Sequence, residues 1–117
     1  MTESLTVTVD RLDGLAVIHT QGYIDDRGGE QVASTAHQLI DEGYRVLLVD
    51  LAGTSIVNSI GISILIEIVE KLSEVDGKLA FCCLTPTIQK TFAIVGLTQY
   101  APIFADEASA VAQLQKT

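Results

Sequence analysis

The segment YRVLLVDL (residues 44–51) constrains the fold more than any other part of the chain. It is an unbroken apolar run that contains β-branched residues, which is typical of a central strand covered on both faces. The composition allows such a core, because 48% of the residues are apolar and a chain of this length forms one domain of ordinary size. The run therefore predicts an α/β domain with a buried sheet.

The segments around this run change their hydrophobic period in an informative order. Two segments of alternating apolar and polar residues, separated by a turn, predict a β-hairpin. After the hairpin, segments with helical spacing alternate with apolar segments typical of buried strands, so the core sheet should be parallel. We predict strands at 4–10, 15–22, 44–51, 78–84 and about 103–104, helices at 30–43, 59–75, 85–97 and 107–115, and connections at 23–29 and 52–58. The sequence thus predicts one domain over residues 1–117, with a four- to five-stranded mixed sheet, an N-terminal β-hairpin and about four helices.

Charge and composition exclude several classes of function. Lys and Arg number 7 against 15 Asp and Glu, a formal charge of −8, whereas nucleic acids and anionic membranes favour a basic face. The N-terminus lacks a signal-peptide pattern, and no apolar run reaches the roughly 18 residues of a membrane span. Cys82 and Cys83 are adjacent, so a bond between them is improbable, and no Cys/His metal spacing is present. We expect a cytoplasmic protein without metal or cofactor.

The helix expected at 59–75 divides into faces on a helical wheel. Its polar sector contains Ser63, Glu67, Glu70 and Glu74. The opposite sector, which should pack on the sheet, contains Gly61, Ile64, Leu65, Ile68 and Leu72. Ile62, Ile66 and Val69 form a flanking stripe, and Ile60 lies on the other flank. The stripe either widens the core or forms a partly exposed docking strip for another protein.

Ser59, at the start of this helix, has three interpretations. Either Asn58 or Ser59 is a suitable N-cap. A nucleophilic serine would need a nearby base, but His19 and His37 have no evident acid support and the stretch is not GxSxG. A phosphorylated Ser59 would be stabilised by the helix N-terminus and would repel a docked partner. The residues alone leave the cap and the switch open.

Three segments resemble the STAS domain of bacterial anti-sigma factor antagonists. VLLVDLAGTSIVNSIGISILI (46–66) is similar to that family's strand, D-L pair, loop and D-S-(S/A)-G-(L/I) helix start. GYID (22–25) resembles its G-x-(L/I)-D loop, and CLTPTIQKTFAIVGLTQYAPIF (83–104) its proline-led helix ending in x-G-L. The resemblance covers nearly the whole chain.

The resemblance implies a regulatory role. In the family, an anti-sigma serine kinase binds the unphosphorylated antagonist and releases it after phosphorylation, and a phosphatase restores binding. Carried over, Ser59 is the phospho-acceptor. Asp25 lies near the binding surface, and Asn58, Ile60, Ile62, Ser63 and Ile66 complete the expected partner-binding set. Two residues depart from the motif, because Asn58 replaces its Asp and Ile60 its Ser or Ala.

Two other functions fit the same resemblance. STAS proteins with similar departures act as scaffold subunits of stress-sensing complexes (stressosome-like), bound to other STAS proteins and controlling a switch kinase. Some STAS-like domains bind nucleotides or lipids, although nothing in the sequence marks a pocket. Enzymatic activity is not expected, because the chain has neither a P-loop nor a GxGxxG motif. ATP would therefore be bound by the kinase.

Overall fold

In the computed structural model, which describes residues 5–116, the central apolar run becomes the middle strand of a five-stranded sheet. The first two strands, β1 (Thr6–Leu12) and β2 (Leu15–Ile24), pair antiparallel. Gly14 takes a positive φ of 72° in the tight turn between them, a conformation that glycine adopts at little cost. The N-terminal β-hairpin is therefore confirmed, except for residue 4 of its predicted first strand, which lies outside the described residues.

The remaining strands extend the sheet in parallel. β3 (Val46–Val57) pairs with β2, β4 (Lys78–Cys82) pairs with β3, and β5 (Ile103–Phe104) pairs with β4. The strand order is β1-β2-β3-β4-β5, so the sheet is mixed. The predicted fold class is confirmed.

Within the described part of the chain, four α-helices cover the two faces of this sheet unequally. Three of them, α1 (Asp26–Asp41), α2 (Ser59–Glu74) and α3 (Pro86–Ile94), enclose the larger apolar cluster together with a 3₁₀ turn at Leu97–Gln99. The fourth, α4 (Glu107–Leu114), covers a smaller cluster on the opposite face. Among the described residues, no helix is both long and apolar enough to cross a membrane.

The predicted faces of α2 are largely confirmed. Its sheet-facing residues are buried (Gly61, Ile64, Leu65, Ile68 and Leu72). Its polar residues are exposed (Ser63, Glu67, Glu70 and Glu74). The helix therefore uses one face for the core and leaves the other free.

The largest errors in the predicted boundaries lie at the carboxyl ends of β2 and β3, while α3 and β4 also end three and two residues earlier than predicted, at Ile94 and Cys82. Residues 23–29, predicted as a loop, contain the end of β2 and the first turn of α1, so that helix starts at residue 26 rather than 30. Residues 52–57, predicted as a connection, continue β3. Two register shifts against β2 accommodate the extension, and such bulges have no apolar period that hydropathy could detect.

Candidate functional site

Asn58 is the residue that caps α2. Its side-chain Oδ1 accepts a hydrogen bond from the backbone amide of Gly61 at 2.8 Å, and its carbonyl accepts from the amide of Ile62 at 2.9 Å. These contacts satisfy amides of the first turn that have no partner within the helix. Of the two residues that were suitable as caps, Asn58 therefore performs the role.

Ser59 occupies the first helical position without any capping contact. Its residue is exposed, and within residues 5–116 its Oγ makes no hydrogen bond. Its backbone carbonyl accepts a hydrogen bond from the Ser63 hydroxyl at 3.1 Å. The Ser63 hydroxyl is thus bonded to the backbone of Ser59 and not to its side chain. The hydroxyl of Ser59 is consequently open to solvent at the amino end of a helix of 16 residues.

A second helix start lies beside the first. Asp25 caps α1, with Oδ1 accepting from the amide of Gly28 at 2.8 Å. Because β2 and β3 are parallel neighbours and Ile24 pairs with Val57, both helices begin at the same end of the sheet. The amide of Asn58 donates to the carbonyl of Ile24 at 3.1 Å, which ties the two chain segments together. The structure thus brings Asp25 close to Asn58 and Ser59.

Gly61 permits this close approach. A Cβ built at that position would overlap the carbonyl oxygen of Ile24 and would lie 2.9 Å from its side-chain Cγ2. The α2 backbone therefore rests directly on the end of β2. The position of Ser59 is fixed by a contact that only a glycine can make here.

The apolar surface around Ser59 differs from the predicted stripe. Ile62 is only 7% exposed and belongs to the main core, so it is not part of an exposed strip. Ile66 is partly buried against that core. The exposed apolar side chains beside Ser59 are Ile60, at 53%, and Ile56, at 47%. Ile56 was missed, because its segment was predicted to be a connection.

A groove lies further along α2, between that helix and the segment that follows α3. It has a volume of about 480 Å³. Its lining consists of Ile66, Val69, Glu70, Ser73, Val95, Gly96, Leu97 and Tyr100. Tyr100 and the neighbouring Ile94 are 72% and 75% exposed. The α3 side of the groove was not predicted, since the residue pattern of 85–97 does not reveal which helix it faces.

Neither histidine lies beside Ser59. His37 is exposed on α1 near Glu67 and Lys71, which follow Ser59 by about two helical turns or more. His19 contacts Asp10, Asp50 and Glu107 instead. A base within hydrogen-bond reach, which a nucleophilic serine needs, is therefore not supplied by His19 or His37.

Removing the cap of α2 should have a measurable cost. We expect Asn58→Ala to lower the free energy of unfolding by about 1 kcal/mol, because the Gly61 amide loses its acceptor. Asn58→Asp keeps an acceptor oxygen and should be at least as stable as the wild type. Urea denaturation of the three proteins measures this, and equal midpoints for Asn58→Ala and the wild type would contradict the capping role.

Comparisons with known proteins agree with this fold. The sequence model of the STAS domain matches residues 6–110. BtrV of Bordetella bronchiseptica, a candidate anti-sigma factor antagonist, is 27% identical over 113 residues, which cover 97% of each chain.

Solved structures show the same architecture. An anti-sigma factor antagonist from Mycobacterium paratuberculosis superimposes with a TM-score of 0.85 at 21% identity, over 98% of this chain and 99% of that one. The anti-sigma factor antagonist SpoIIAA in its unphosphorylated form gives 0.81 at 20% identity, over 96% and 98%. SpoIIAA of Bacillus in its phosphorylated form gives 0.74 at 21% identity, over 93% and 99%.

Proposed function

The chain belongs to the STAS domain family, and from this premise we propose that it is an anti-sigma factor antagonist switched by phosphorylation of Ser59. The unphosphorylated protein binds an anti-sigma serine kinase and so releases a sigma factor for transcription. Phosphorylation ends the complex. The single observation that carries the proposal is the solvent-open Ser59 hydroxyl, which has no structural partner among the described residues.

The position of Ser59 suits a phosphate. The amino end of a helix carries partial positive charge and unpaired amides, which stabilise an anion. No acidic residue lies in the first turn of α2, and the neutral Asn58 stands where the family motif has an aspartate. A phosphate on Ser59 would therefore face less local repulsion here than in a chain with the motif residue, and the switch requires no unfolding of α2.

The surroundings of Ser59 suit a protein partner. Ile60, next to Ser59 in the chain, and Ile56, three residues before it, have exposed apolar side chains, and Asp25 lies at the adjacent helix start. An apolar centre with polar residues around it is the usual composition of a docking surface. The kinase contact in this proposal includes Asp25, Asn58, Ser59, Ile60, Ser63 and Ile66, with Ile56 added.

The remaining parts of the proposal concern the partners. The kinase supplies ATP, and this chain acts as its substrate rather than as an enzyme. A serine phosphatase returns Ser59 to the unmodified state. An ATP-dependent kinase acts in the cytoplasm, so we place the protein there.

The test is a phosphotransfer assay. We expect the wild type, mixed with ATP and each anti-sigma kinase of the same organism, to gain a single phosphate by intact-mass spectrometry. Ser59→Ala should gain none. Ser55→Ala is the matched control, because Ser55 is exposed and lies four residues from Ser59; this variant should be phosphorylated as the wild type is.

Two results would contradict the switch. Phosphate transfer that persists in Ser59→Ala would assign the acceptor to another residue. Stable binding of a kinase without transfer to the wild type would leave Ser59 as an unmodified surface residue, and it would favour the scaffold role, in which the protein elutes with other STAS proteins in a large complex.

A further inference from the structure

A second group of reactive side chains lies on the sheet face that α4 covers. His19 on β2, Asp50 on β3 and Cys82 on β4 are paired in register across three neighbouring strands. Paired residues of parallel strands project to the same face. Two further residues lie against this row: Glu107, the first residue of α4, and Cys83. The group combines an imidazole, carboxylates and thiols in one place.

The contacts of His19 define the geometry of this group. Its Nε2 lies 3.0 Å from Oδ2 of Asp10. Its Nδ1 lies 3.5 Å from Oδ2 of Asp50 and 3.4 Å from Oε1 of Glu107. Asp10 thus fixes one ring nitrogen, while the other nitrogen faces two carboxylate oxygens at distances longer than an ordinary hydrogen bond.

The two carboxyl groups facing Nδ1 are crowded. The Asp50 side chain is only 10% exposed. The hydrogen bond between the Asp50 and Glu107 side chains, together with the burial of Glu107, raises the pKa of Glu107 above its ordinary value. Burial opposes ionisation of Asp50, but hydrogen bonds with Glu107 and with the Ala52 amide keep its pKa below the ordinary value. Within residues 5–116, no Lys or Arg forms an ion pair with Asp10, Asp50 or Glu107.

Cys83 adds a soft donor beside Asp50. Ligand atoms of Asp50, Cys82 and Cys83 lie within 4.8 Å of one another, and the Cys83 thiol also contacts the Glu107 backbone. Cys83 has a positive φ of 66°, which is uncommon outside glycine. Burial and the nearby Asp50 carboxylate raise the pKa of its thiol, and a bound cation would favour the anionic sulfur.

We propose that these residues form a Zn²⁺ site, with Nδ1 of His19, the carboxylates of Asp50 and Glu107 and the Cys83 sulfur as ligands. Binding releases the thiol proton of Cys83 and any proton shared by Asp50 and Glu107 to solvent, since zinc binds the deprotonated groups. Asp10 is a positioning residue, because it keeps the proton on Nε2 of His19 and leaves the Nδ1 lone pair for the metal.

The two separations that involve the His19 ring fit a tetrahedral ion. Zinc bonds to nitrogen and oxygen of about 2.0–2.2 Å, at tetrahedral angles, place the ligand atoms roughly 3.3–3.6 Å apart. The Nδ1–Oδ2 and Nδ1–Oε1 distances of 3.5 and 3.4 Å fall in that interval. Side-chain exposures of 32% for His19 and 36% for Glu107 leave a path for the ion to enter.

The site is separate from the Ser59 surface. The ligands lie on β2, β3, the end of β4 and α4, on the opposite face of the sheet from α1, α2 and α3. A bound ion would join the start of α4 to the sheet. Sequence spacing does not reveal the site, because its ligands are contributed singly by separate elements.

The test uses tag-free, reduced full-length protein freed of metal by a chelator. We expect one equivalent of Co²⁺ to give the intense visible bands of a tetrahedral site and a near-ultraviolet thiolate-to-cobalt band, with Zn²⁺ displacing it. Cys83→Ser should lose the thiolate band, whereas Cys82→Ala should keep it. His19→Gln should weaken Zn²⁺ binding at least about tenfold, and His37→Gln, the matched control, should not.

Three results would overturn the site. These are the absence of Co²⁺ and Zn²⁺ binding by the wild type, equal Zn²⁺ affinities for His19→Gln and His37→Gln, and a cobalt spectrum unaffected by Cys83→Ser. Circular dichroism of each variant confirms that the comparison is made between folded proteins.

Discussion

Gly61→Ala is expected to destabilise the protein by about 3 kcal/mol, the upper part of the usual range for overpacking. The added Cβ would overlap the carbonyl oxygen of Ile24, which is backbone and cannot rotate away. Relief requires α2 to move off the end of β2, so the amide of Asn58 should also lose its bond to that carbonyl. Urea denaturation followed by circular dichroism measures the loss.

Gly14→Ala is the matched control for this substitution. Gly14 has a positive φ of 72°, and among the described residues no neighbouring atom would lie within 4 Å of a Cβ added there. Alanine at this position therefore costs only the backbone conformation, about 1–2 kcal/mol. A Gly61→Ala variant as stable as the wild type would show that α2 does not rest on Ile24 as described.

Ser59→Glu is expected to lower the affinity for the anti-sigma kinase about 100-fold, or roughly 2.8 kcal/mol. The new carboxylate would have to be desolvated between Ile60 and Ile56, whose side chains offer it no hydrogen bond. The genuine phosphoprotein should bind more weakly still, because it carries almost twice the charge. Isothermal titration calorimetry with the kinase and a non-hydrolysable nucleotide measures both affinities.

Ser34→Glu is the matched control, since Ser34 is an exposed helical serine on α1 outside the proposed contact. It should bind the kinase within about twofold of the wild type, because surface charge beyond the contact is screened by salt. Equal losses in the two variants would mean that net charge, and not the position of Ser59, governs binding.

The fold was largely predictable because the core residues follow simple periods. The apolar run of β3 and the two faces of α2 each have a pattern that permits one arrangement. The end of β3 was not predictable, since Thr54 is buried through a hydrogen bond with Thr20 at 2.7 Å. A buried polar residue whose hydrogen bond is made to a neighbouring strand cannot be distinguished in the sequence from a polar residue of a loop.

The candidate site was predictable in part for a similar reason. Asp25 and Asn58 follow parallel neighbouring strands, so their proximity follows from topology once the sheet is known. Which residue caps α2 depends on backbone geometry that the sequence does not encode locally, and both candidates were suitable. The burial of Ile62 and the grouping of His19 with Glu107 depend on how α1 and α4 pack, which no local pattern reports.

The length of β3 has a mechanical consequence for Ser59. Residues 47–50 of β3 pair with both β2 and β4, whereas the pairs of β3 beyond residue 50 are with β2 only. The segment that leads into Ser59 therefore has one neighbouring strand, where the first half of β3 has two. A partner that drew these residues into an extended cleft would break their pairing with β2 alone, and the rest of the sheet would stay closed.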